Sequence, residues 1–153
     1  MKKVLFGIMI LAMIAIFVNG CRDSDVTSSP KYNFSSFAGT VWKTKVKVAL
    51  ANTGWRGMHD PSLLAPKFFD PTHPEYTPSR SDEIITVLPI GTRVRIERLM
   101  QDNVDWGGVW VMGSLEDGKP VIVERHLLAK NRFLSTGSSK DWGVDPDMLE
   151  KAE

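Results

Sequence analysis

An uncharged run of fifteen residues, Val4 to Val18 (VLFGIMILAMIAIFV), stands between Lys2-Lys3 and an abruptly polar continuation, and it splits the chain into two unequal parts. As a helix rising about 1.5 Å per residue it would span roughly 22 Å, short of the roughly 30 Å hydrocarbon core of a bilayer. A basic start, a short apolar stretch and a polar exit form a signal-peptide profile, so residues 1–20 are set aside as a targeting segment. Any folded domain is built from the remainder. That remainder contains the chain's single cysteine, Cys21, so no intramolecular disulfide can form and stability must come from packing. With 153 residues, 42% hydrophobic and 24% charged, the chain has room for one globular domain with appendages.

The formal charge of +1 includes Lys2 and Lys3. Without them 17 basic residues face 18 acidic ones, a net −1. A nucleic-acid binder needs a marked basic excess to neutralise phosphates, so that class is set aside.

The four residues Val18-Asn19-Gly20-Cys21 resemble the lipobox of bacterial lipoprotein precursors. Val18 takes the aliphatic place and Gly20 the small place before the cysteine, while Asn19 departs from the usual small or β-branched residue. The resemblance implies that Cys21 is the lipidation site and becomes the mature N-terminus. Its sulfur would carry a diacylglycerol and its amine a further acyl chain such as palmitate. At about 0.8 kcal/mol per buried CH₂, two or three chains make a lasting anchor. In that family an aspartate after the cysteine retains the protein at the inner membrane. Arg22 stands there instead, which implies the periplasmic side of the outer membrane in a diderm and the outer face of the plasma membrane in a monoderm.

Residues 21–33 are polar and Ser-rich around Arg22–Lys31, and their composition predicts a short tether. From Trp42 to Leu50, Trp42, Thr44, Val46, Val48 and Leu50 alternate with Lys43, Lys45, Lys47 and Ala49, which predicts a half-buried strand with a wet lysine face. Ile84–Leu88, a Pro89-Ile90-Gly91 turn and Arg93–Glu97 predict a second strand pair. Val109–Leu115 and Val121–Val123 flank Glu116-Asp117-Gly118-Lys119, a strong hairpin signal because Asp-Gly suits the positive φ of a type I′ turn. Between the first strand and the second pair, residues 51–83 form a long Pro- and aromatic-rich insertion with Trp55, Phe68, Phe69 and Tyr76. Asp60-Pro61 within it, and Asp145-Pro146 near the end, look like helix starts with Asp as N-cap and Pro at the first helical position.

The stretch Leu88–Phe133 is similar to a bacterial SH3-like barrel in its order of turn, strand, Trp-containing loop, hairpin and short helical turn. Trp106-Gly107-Gly108-Val109 stands near the place of the family's Gly-Trp-Val. The fold expectation is mainly β: a small SH3-like barrel over 34–134, with the 51–83 insertion and, over 135–153, a Ser/Gly-rich linker and short C-terminal helix.

The chemistry-bearing patterns are sparse. With Cys21 assigned to lipid, no thiol nucleophile remains, and neither Gly-x-Ser-x-Gly nor a P-loop occurs. Asp102-Asn103-Val104-Asp105 lacks the alternate ligand spacing of an EF-hand. His59, Asp60, Asp70, His73 and Glu75 could supply nitrogen and oxygen ligands from the insertion, but their spacing matches no metal motif and the Asp-Pro turns explain both aspartates more simply. No metal or other cofactor is therefore expected. Trp55, Tyr76 and Trp106 are the candidate ligand-contacting aromatics. The reading that follows is non-enzymatic: a lipid-anchored envelope module that binds a protein or peptidoglycan. The alternatives are a metal-dependent hydrolase using the loop histidines and a wall-binding SH3-like module.

Overall fold

The computed structural model describes residues 23–52, 60–77, 83–101, 108–128 and 143–153. Strands appear where β-branched runs were expected, and the domain is mainly β. In chain order they are β1 (Ser24–Asp25), β2 (Val41–Thr44), β3 (Val48–Asn52), β4 (Ser62–Leu64), β5 (Glu83–Leu88), β6 (Arg93–Gln101), β7 (Val109–Leu115), β8 (Pro120–Val123) and β9 (Leu149–Lys151). They pair as one open sheet in the order β5-β3-β4-β8-β7-β6-β2-β9, with β1 beside the far end of β6, in place of the closed SH3-like barrel expected over 34–134.

The alternation on β6 sets the core. Val94, Ile96 and Leu99 are fully buried, and they meet Val48, Leu50, Leu63, Val111, Val121, Val123, Leu127 and Leu149 around Phe34 and Phe37. Phe37 packs edge-on against Phe34 and, tilted, against Trp42, with centroids 5.6 and 5.9 Å away. The Trp42 indole, packed against this core, donates to Thr40 Oγ1 at 2.8 Å.

The strand expected through Trp42–Leu50 is two strands. β2 pairs with β6 and β9, whereas β3 pairs with β4 and β5. Thr44 is the point of divergence: its N–H donates to Thr92 O at 3.0 Å, its carbonyl accepts from Gly91 N at 2.7 Å, and its hydroxyl donates to Pro89 O at 3.2 Å. These bonds occupy the Pro89–Thr92 turn. They also explain why β5 and β6, adjacent in sequence, do not pair with each other as a hairpin. Ala49, expected on the wet face with the lysines, is buried with Ala51 and Leu64 under Phe68 and Phe69.

The long insertion supplies structure of its own. Asp60-Pro61 was expected to start a helix, but Ser62–Leu64 extends as β4, antiparallel to β3 and parallel to β8. Two ladders and a slot lined by buried partners outweigh a cap preference worth about 1 kcal/mol. Pro66–Phe68 then forms a 3-10 turn.

The C-terminal helix is likewise replaced by a strand. Asp145 begins as a helix cap would, its carboxylate accepting from Asp147 N at 3.0 Å and its carbonyl from Leu149 N at 2.9 Å. One turn later the chain extends as β9 on the edge of β2, placing Leu149 opposite Thr44 in the core. An available strand edge and a buried leucine end the turn before a helix can propagate.

The predicted hairpin is present. β7 and β8 are antiparallel through Glu116–Lys119, but the turn is not the type I′ expected, because Gly118, at φ 81°, has positive φ and Asp117 does not. Residues 23–33, expected to be a tether, lie along the domain: β1 pairs with Met100 and Gln101, Tyr32 is buried, and its hydroxyl donates to Gln101 Oε1 at 3.2 Å.

Candidate docking surface

β5 lies at one end of the sheet and, among the described residues, pairs only with β3. Its composition (EIITVL) is that of a buried strand, yet Ile84, Ile85 and Val87 are 41%, 53% and 46% exposed. The register with β3 shifts between Leu50 and Ala51, so Ile85 faces no β3 residue and the edge bends there. Ile84 and Val87 stand opposite Ala51 and Ala49, on the sheet face where Leu64, Phe68 and Phe69 pack. Ile90, 62% exposed on the following turn, continues the apolar stripe.

Ile90 also lines a shallow cleft of about 360 Å³ between the Pro89–Arg93 turn and Leu115–Asp117. Its charged rim is partly neutralised: Arg93 approaches Glu116 at 3.9 Å and Lys119 pairs with Asp117 at 3.1 Å. The backbone N–H of Lys119 is the main cause that holds the Asp117 carboxyl below its ordinary range, with the Lys119 side chain and charge behind it. Such a carboxylate is ionised at neutral pH and accepts or attracts cations; it is not a proton donor.

A second cluster surrounds Phe68. The His126 ring packs against it tilted by 51°, with centroids 4.9 Å apart, and the Lys67 ammonium sits 5.2 Å from the Phe68 centroid. Arg125 Nε donates to His126 Nε2 at 3.2 Å, which puts the imidazole proton on Nδ1. Burial, followed by the charges of Lys67 and Arg125, pushes the His126 pKa down to about 4. The ring is therefore neutral at pH 7 with one nitrogen already engaged.

The sequence-derived candidates fare as follows. Cys21, Trp55, His59 and Trp106 lie outside the described residues. Tyr76 is 38% exposed and its N–H donates to His73 O, within a series of turns. Asp70 accepts from Thr72 N and Oγ1 at 2.9 and 2.7 Å, and those bonds, side chain first, lower its pKa. His73 Nδ1 accepts from Glu75 N at 3.1 Å. The Asp70 and His73 side chains each close their own turn, and among the described residues no three His, Cys, Asp or Glu groups converge as a metal cage. The apolar edge of β5 was not foreseen, because a continuous run such as Ile-Ile-Thr-Val-Leu reads as a strand buried on both faces. Only pairing information reveals an edge.

Comparison with known proteins finds no matching family model, no similar curated protein and no similar solved structure.

Proposed function

We propose that this chain is a lipid-anchored bacterial envelope protein whose β domain works, without catalysis, as a docking module for an extended segment of an envelope partner. The single observation that carries the docking part is the β5 edge. A strand that, among the described residues, pairs on one side only and carries three half-exposed branched side chains suits strand addition, in which main-chain hydrogen bonds give affinity and side-chain contacts give specificity. The anchor rests on sequence: Lys2-Lys3, the Val4–Val18 run and Val18-Asn19-Gly20-Cys21, with Arg22 favouring the outer membrane in a diderm.

Two measurements test the two halves separately. Intact-mass analysis of the membrane-extracted protein should show acyl mass on the Cys21 peptide, and a Cys21→Ser chain should leave the lipidated state. An unmodified thiol would remove the anchor. In-envelope cross-linking followed by mass spectrometry should yield a partner with the native chain and lose it with Ile85→Lys/Val87→Lys. Unchanged cross-links would remove the docking edge. The SH3-like pattern of Leu88–Phe133 supports peptidoglycan as the partner in place of a protein, and in that case the domain pellets with purified sacculi.

A further inference from the structure

The domain begins almost at Cys21. β1 pairs Ser24 with Gln101 and Asp25 with Met100, and the segment behind it is fastened down: Val26 N donates to Leu99 O at 2.8 Å, Leu99 N donates to Thr27 Oγ1 at 2.9 Å, and Phe34 and Phe37 enter the core. Only Arg22 and Asp23 separate Cys21 from Ser24. Three residue steps, however extended, cover at most about 11 Å. β1 is antiparallel to β6, so traced back from Asp25 to Ser24 it heads past Gln101, the end of β6 remote from Arg93. The surface at that end is amphipathic. Met100 and Trp110 stand opposite each other on β6 and β7, both half-buried. Exposed Arg98 shares the strand face of Met100, two residues along, with buried Leu99 on the other face. Exposed Lys31 sits 4.9 Å from the centroid of Tyr32, whose hydroxyl reaches Gln101.

We infer that this end of the sheet, around Met100, Trp110, Arg98 and Lys31, rests on the phospholipid headgroup layer of the bilayer that holds Cys21. The inference rests on the anchor half of the function proposed above. A bilayer is the partner whose position the chain itself dictates, because lipid on Cys21 cannot lie farther from Ser24 than that short reach. An indole with an apolar body and one N–H, and long cationic side chains with apolar stems, suit the boundary between headgroups and water. The exposed acids Asp23 and Asp25 offset Lys31 and Arg98, so the contact follows from reach and not from attraction to anionic lipid. β6 then stands off the membrane. Its nine residues, at about 3.3 Å each, put Arg93 roughly 25 Å from Gln101. Ile90 and the Pro89–Thr92 turn, which precede Arg93, lie at the distal end and present that part of the apolar stripe away from lipid.

The test reads distance from the headgroups along β6. Membrane-extracted chain labelled with ¹⁵N is placed in phosphatidylcholine nanodiscs that contain a nitroxide-headgroup lipid, and amide signals are compared before and after the nitroxide is reduced. Signals of Asp25–Thr27, Arg98–Gln101 and Trp110 should lose most of their intensity while the nitroxide is active, and those of Ile90, Thr92 and Arg93 should keep theirs. Equal loss at both ends, loss at neither, or greater loss at Ile90 would each overturn the inference. Intact mass of the same sample separates this result from the anchor. Acyl mass on Cys21 without the gradient removes the resting surface alone. An unmodified thiol removes the proposed anchor, and coupling that thiol to a maleimide-headgroup lipid in the same nanodiscs then decides the orientation from the same signals.

Discussion

Gly113 on β7 lies against the backbone of Arg95 on β6: a Cβ at this position would be 2.5 Å from the Arg95 carbonyl oxygen and 3.1 Å from Val123 Cγ2. The nearest obstacle is main chain, which cannot swing aside. β6 carries its irregularity next to this point, between Ile96 and Arg98, and Glu97 in that step accepts a 2.6 Å hydrogen bond from Ser114. Gly113→Ala should therefore cost roughly 1–3 kcal/mol through overpacking, seen as a lower urea midpoint with an unchanged slope.

Thr44 binds the Pro89–Thr92 turn through its hydroxyl, donating to Pro89 O and accepting from Thr92 N at 3.1 Å. Thr44→Val keeps the shape and removes both bonds at a position 1% exposed. A loss of about 1–3 kcal/mol is expected. Amide exchange at Thr92 should quicken more than at Val94.

His126 gives the domain a defined acid response. Its folded pKa of about 4 lies below the ordinary 6.5, so between those values the unfolded chain binds the proton that the folded chain refuses. Stability must then fall as pH drops from about 6.5 to about 4, and this contribution levels off below. Chemical denaturation of His126→Gln across that range should show a shallower decline than the native chain. Equal slopes would mean that burial and the Lys67 and Arg125 charges do not hold the ring neutral.

Ile85 has no β3 partner and is half exposed. Ile85→Lys should change stability by no more than about 0.5 kcal/mol, while interrupting the apolar stripe from Ile84 to Ile90. Thermal melts of the variant and the native chain should nearly superimpose. A large loss would show that the side chain is needed inside the fold.

Sequence pattern foretold the strands well where one face is wet. The β6 alternation and the Asp117-Gly118 hairpin followed from period two and from a φ that glycine tolerates. It failed where pairing overrode local preference. Asp60-Pro61 and Asp145-Pro146 are sound helix starts, and both feed strands because β3 with β8, and β2, offered ladders at a distance that no local window contains. The same blindness hid the site. A strand at the end of a sheet and one in its middle share a composition, so Ile84, Ile85 and Val87 could not be placed at a boundary before their neighbours were known.

The three residues of β4 have a kinetic meaning. Among the described residues, Ser62–Leu64 form the ladder that joins the β5-β3 pair to the β8-β7-β6-β2-β9 array, so the sheet becomes continuous only once Leu63 is in place. Their union brings Leu63 beside Val123, sixty positions further on, after a loop closure that nothing local rewards beforehand. Assembly of this domain should accordingly run on the millisecond-to-second scale typical of distant strand pairing, with the stitch at Leu63 among its last events.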